Sequence, residues 1–162
     1  YKSDTVLYTG EYFEPTFNIP NYPSFFTNGV AAPDTASNEA YLRNLAPSTW
    51  VEMTPPKKPG GHRDWATAII VPDQDLILTW GGGHVAHCGT DVPEYSISKN
   101  RYSISYQPEY PLEWCGYNFP SPGPFTFTNR PFMPCQPVKS YAYDVNLKKM
   151  VFTYDNHTWI YI

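Results

Sequence analysis

Two histidines and a cysteine, His84-Val85-Ala86-His87-Cys88, stand immediately after the glycine triplet Gly81-Gly82-Gly83. Imidazole and thiolate are good ligands for zinc or copper, so this stretch is the first place to look for a metal. His62 and His157 are further imidazoles that converging loops would bring in. No CxxC pair or HxxxH helix accompanies them. The plainer assignment is that His84 and His87 hydrogen-bond within the loop while Cys88 is buried.

A second chemistry is carboxylate recognition by Arg63 and Arg130, whose planar guanidinium groups grip an anion with two parallel hydrogen bonds. A third is stacking. Trp114 and Tyr117 lie in a proline-rich stretch with Phe119, Phe125, Phe127 and Phe132, and flat rings with polar tips suit sugars or protein contact. Most of these rings, and those of Tyr12, Phe13, Tyr22, Phe25 and Phe26, read as the private cores of two long loops.

Cys115 and Cys135 bracket residues 116–134, a proline-rich excursion that must return to begin a hairpin near Ser140. A disulfide between them would close a loop with little regular hydrogen bonding of its own, worth roughly 3 kcal/mol in the chain-entropy model. Cys88 is expected to stay unpaired, as a small buried side chain after a strand. Asn156-His157-Thr158 forms a glycosylation sequon, meaningful only in a secreted protein. There is no nucleophile elbow, phosphate loop, dinucleotide fingerprint or zincin helix. Asp73 and Asp75 sit in a turn between strands and do not read as an acid–base pair.

These residues must be positioned by strands. Leu76-Ile77-Leu78 is an uninterrupted apolar run, as in a strand covered on both faces, and it ends at Thr79-Trp80 before the glycines. Tyr95-Ser96-Ile97-Ser98 and Tyr102-Ser103-Ile104 flank a polar turn at Lys99-Asn100-Arg101. Trp65 to Ile70 leads through Pro72-Asp73-Gln74-Asp75 into the apolar strand. Tyr141-Ala142-Tyr143-Asp144 leads in the same way through 145–149 into Met150-Val151-Phe152-Thr153-Tyr154. Each is a hairpin. Tyr8, Trp80 and Tyr154 close three similar apolar runs at two nearly equal spacings, and Tyr41 with Trp50 parallels Tyr95 with Tyr102.

Apolar strand, Gly-Gly, tyrosine, then an aromatic about seven residues on is the order of a kelch-type propeller blade, and the chain resembles that family here. Tyr102 stands where the family usually has tryptophan, and Ser96 where an aspartate usually follows the tyrosine. The resemblance implies an all-β fold of four-stranded antiparallel blades, about two of them present. Residues 1–53 would be most of one blade with a long loop at 11–40, and 65–104 a complete blade. Residues 106–139 would be an insertion rich in proline and aromatics, and 140–162 the first hairpin of the next blade. A propeller needs at least four blades, so the expected partner of this piece is the remainder of its own propeller. The resemblance also implies that Arg63 and Asp91 serve ion-paired contacts between blades.

The totals agree with many short strands: 16% charged residues, 17% aromatic, 18 prolines and 10 glycines in 162 residues. A net charge of −4 and the lack of a basic stripe exclude nucleic acid as the natural partner, and no apolar run is long enough to span a bilayer. The balance favours an extracellular, cell-surface or periplasmic binding scaffold for glycan or protein over an enzyme, with no cofactor. One alternative is a copper-dependent oxidase on a galactose-oxidase-like propeller, and copper enters only with it. The other is a structural surface protein forming a homo-oligomer or filament.

Overall fold

The computed structural model describes residues 21–59, 66–80, 91–108, 141–154 and 157–162. Among these residues the regular structure is mostly β: two antiparallel sheets, with two α-helices on the N-terminal side.

The first sheet is a meander of β1 (Thr67–Val71), β2 (Leu76–Trp80), β3 (Glu94–Ser96) and β4 (Arg101–Ser103), hydrogen-bonded in that order. Alternation decides which face is inside. Ile69 and Val71 of β1 and Leu78 and Trp80 of β2 are buried, while Ile70 between them is exposed. Ile77, expected to be covered, is half-buried, so this strand packs firmly on one face only.

Each hairpin turns through four residues and ends in a left-handed conformation at its last position. These are Asp75 (φ 56°) between β1 and β2, and Asn100 (φ 48°) between β3 and β4. Pro72 opens the first turn, where its fixed φ suits a tight 3-10 helix over Pro72–Gln74. The Asp75 carboxylate then accepts from Ser96 Oγ (2.8 Å), Ser98 N (3.0 Å) and Ser98 Oγ (2.6 Å). One aspartate therefore ties the first turn to the second.

The second sheet holds β5 (Tyr141–Asp144), β6 (Lys149–Tyr154) and β7 (His157–Tyr161) in that order. Its first turn repeats the pattern. Asp144 Oδ1 accepts from the backbone N–H of Asn146 and Leu147, both at 2.9 Å, and Lys148 takes φ 55°. The strand at the C-terminal side of 140–162 joins this sheet as a third member, beyond the expected hairpin.

One core joins the sheets. Ile69, Val71, Leu78, Trp80 and Val92 from the first meet Met150 and Phe152 from the second, with the Trp80 and Phe152 rings edge to face at 3.9 Å. β1 lies against β5, so the first strands of the two sheets face each other.

Residues 21–59 correct one expectation. No strand occurs there: Tyr41 lies in helix α2 (Thr35–Arg43) and is half-exposed, and Trp50 is 99% exposed in irregular chain. The cause is local. Asp34 caps the helix, accepting from Ser37 N (2.9 Å) and Ser37 Oγ (2.7 Å), and Ala36, Glu39, Ala40, Leu42 and Arg43 are good helix formers. Pro47, Pro55 and Pro56 then break up the following chain.

The short helix α1 (Tyr22–Phe25), capped by Asn21, delivers Tyr22 and Phe26 onto Ile104 with Phe25 and Tyr102 alongside. Tyr22, Phe25 and Phe26 do pack on one another, but the core is not private to the loop, because Ile104 and Tyr102 at β4 share it. Gly29 takes φ 70° in the Asn28-Gly29 turn. Asn38 Nδ2 donates to the carbonyls of Ile97 and Ser98, each at 2.8 Å, and Arg101 donates to the Ala31 carbonyl. The helical segment is thus pinned to the β3–β4 hairpin.

Candidate functional site

Residues of both sheets line a cleft of about 150 Å³ beside the shared core. Register explains its shape. Tyr143, Met150 and Tyr161 stand side by side across β5, β6 and β7, forming one row on the inner face of the second sheet. Val71, Leu76 and Leu78 of the first sheet line the opposite side. The floor is apolar, with Val71, Leu78 and Met150 buried.

Both ends of that row reach across the gap. Tyr143 donates its hydroxyl to Asp73 Oδ1 in the first turn, and Lys148 Nζ lies 3.3 Å from Asp73 Oδ2. At the other end Tyr161 donates to Glu94 Oε1 at 2.6 Å, and that oxygen also accepts from Ser105 Oγ at 2.5 Å. The second Glu94 oxygen accepts from Ser103 Oγ at 3.3 Å. Two tyrosine–carboxylate struts therefore frame the cleft, with Lys148 and Lys149 at its rim.

The Tyr143–Asp73 strut sets the proton affinities of its two members. The Tyr143 hydrogen bond, with Lys148 in support, holds the Asp73 carboxyl below its ordinary value, and the same bond to Asp73 pushes the Tyr143 phenol up to about 12. Burial works against the charge of Asp75, but the hydrogen bonds from Ser98 and Ser96 outweigh it and leave that carboxyl lowered. Burial, with Tyr102 and Asp75 nearby, raises the Tyr95 phenol, whose hydroxyl donates to Asn100 Oδ1 at 2.9 Å.

Among the described residues, two buried polar atoms lack a hydrogen-bond partner: Trp80 Nε1 and the Tyr141 hydroxyl. Both belong to rings around Phe152, since Trp80 stacks edge-on against it and Tyr141 pairs with it across β5 and β6. Burial drives the Tyr141 phenol upward.

The residues singled out for chemistry, Arg63, His84, His87, Cys88, Trp114, Tyr117 and Arg130, lie outside the described residues, as do Cys115, Cys135 and Asn156. Asp91 is described and is 1% exposed, next to Val92 of the shared core. His157 is exposed at the start of β7. Asp73 and Asp75 act as turn and strut groups, as their place in a hairpin suggests. Among the described residues no cluster of three His, Cys, Asp or Glu side chains could hold a metal ion, and no helix is long and apolar enough to cross a membrane.

Glu94, Tyr143, Lys149 and Tyr161 were not singled out from the sequence. Tyr141 and Tyr143 at a spacing of two, and Trp159 and Tyr161 likewise, were the available signal of rings on one face of each strand. No family model, curated protein or solved structure matches the chain.

Proposed function

We propose that this chain is part of a kelch-type propeller that works as a secreted or periplasmic interaction scaffold, presenting loops to a glycan or protein ligand. The observation that carries the reading is the packing of β1 against β5, which joins two meandering antiparallel sheets with matching four-residue turns through one core. In a propeller, neighbouring antiparallel sheets pack on one another around a central channel and leave the connecting loops free to bind. Trp50 supports the binding role, because its ring is 99% exposed on a segment that the helices anchor to the first sheet. An exposed indole offers a flat face for a sugar ring or a partner side chain.

The test is binding of the full-length protein to a panel of soluble oligosaccharides, followed by tryptophan fluorescence, with Trp50→Ala compared with the parent. Saturable binding that weakens in Trp50→Ala supports the glycan arm, and ring-shaped particles in electron micrographs support the propeller. An elongated, non-radial particle would overturn the architecture. Self-assembly is a second reading, favoured by Ile160, half-exposed on β7 at the margin of the second sheet. Particle mass that climbs with concentration would favour it.

A further inference from the structure

We propose that the cleft between the two sheets is a binding site for a small monocarboxylate with an apolar body about the size of one ring, its carboxylate held by Lys149. The first ground is fit. The cleft measures about 150 Å³ and has a floor of Val71, Leu76, Leu78 and Met150. A closed apolar cavity of about that volume takes up benzene, and this open cleft adds Gln74, Glu94, Ser105 and two lysines around its apolar floor. The two tyrosine–carboxylate struts bridge the sheets at either end of the cleft.

The second ground is charge. Lys149 lines the cleft and is half-buried, yet among the described residues its ammonium has no ion pair or hydrogen bond. Its neighbour Lys148 is committed to Asp73. The nearby carboxylates have hydrogen bonds of their own. Asp144, opposite Lys149 in register, turns Oδ1 to the N–H groups of Asn146 and Leu147. Glu94 takes hydroxyls from Ser103, Ser105 and Tyr161. A ligand carboxylate would give this ammonium the partner that no described side chain provides.

The experiment uses benzoate and benzyl alcohol as probes of equal body and different head group. The readout is the Met150 methyl NMR signal, identified by its loss in Met150→Leu. Benzoate is expected to shift this signal saturably at or below about 10 mM and to bind more tightly than the alcohol. Lys149→Gln should weaken benzoate about tenfold and leave the alcohol unchanged. Leu76→Phe, which fills the floor, should abolish both. No saturable shift with benzoate, or equal affinity for both probes, overturns the proposal. So does wild-type affinity for either probe in Leu76→Phe.

Discussion

Tyr143 of the second sheet donates its hydroxyl to Asp73 in the first turn of the other sheet, and Lys148 completes the pairing from the same side. Asp73 is held below its ordinary proton affinity and Tyr143 above its own by one shared hydrogen bond. A depressed carboxyl contributes stability that is present above its unfolded value and is lost as pH falls through the lowered one. A raised phenol contributes stability that is present below the ordinary value of 10.0 and is lost as pH rises through about 12. Tyr143→Phe should move the Asp73 carboxyl back up toward the ordinary value. A carbon-detected NMR titration of Asp73 reads this directly, and an unchanged titration midpoint would mean that the strut is absent in solution.

Asp75 should be harder to replace than its turn position suggests. Its backbone is left-handed, which glycine tolerates, but its carboxylate also collects three hydrogen bonds from Ser96 and Ser98. Asp75→Gly keeps the backbone and loses the hydrogen bonds. Asp75→Ala loses the hydrogen bonds and adds left-handed strain. Urea unfolding should rank alanine as the more damaging of the two, at about 2 kcal/mol below the parent. Since the Asp75 carboxyl is lowered on folding, its contribution should fade on acidification through that lowered value and not at neutral pH. Equal loss in both variants would assign the whole effect to the carboxylate.

Much of the sheet structure was legible because strand periodicity and turn chemistry coincide. Ile69 and Val71 alternate with exposed Ile70, and Pro72 to Asp75 spell a turn, so both hairpins follow from local rules. The helix at Thr35–Arg43 was not legible from repeat matching. Aligning Tyr41 and Trp50 with Tyr95 and Tyr102 compares ring spacing alone, whereas Asp34 and its bond to Ser37 decide the backbone. The struts were hidden for a different reason. Asp73 and Tyr143 are distant in sequence, and only the seating of β5 on β1 brings their hairpins together.

Phe152 should be the most costly single truncation in the second sheet. It is 1% exposed and touches Trp80 edge to face, so Phe152→Ala removes a ring from the middle of the core the two sheets share. Buried phenylalanine truncations typically cost about 3–5 kcal/mol. Thermal unfolding should show β5–β7 and β1–β4 losing stability together, because both sheets contribute walls to the cavity. A loss confined to signals from one sheet would show that the cores are independent.

Tyr141→Phe should have the opposite sign. The Tyr141 hydroxyl is buried beside Phe152 without a hydrogen-bond partner among the described residues, and burial raises its phenol. An unsatisfied buried hydroxyl costs desolvation energy with nothing in return, on the order of 1–3 kcal/mol. Phenylalanine keeps the ring packing on Phe152 and removes only the oxygen. The variant should therefore be at least as stable as the parent, with a gain of about 1 kcal/mol in the midpoint-derived free energy and an unchanged urea m-value. The control is Tyr143→Phe, whose hydroxyl is engaged with Asp73, and which should fall below the parent under the same conditions. If Tyr141→Phe is the less stable of the two, the Tyr141 hydroxyl has a hydrogen-bond partner in the folded protein.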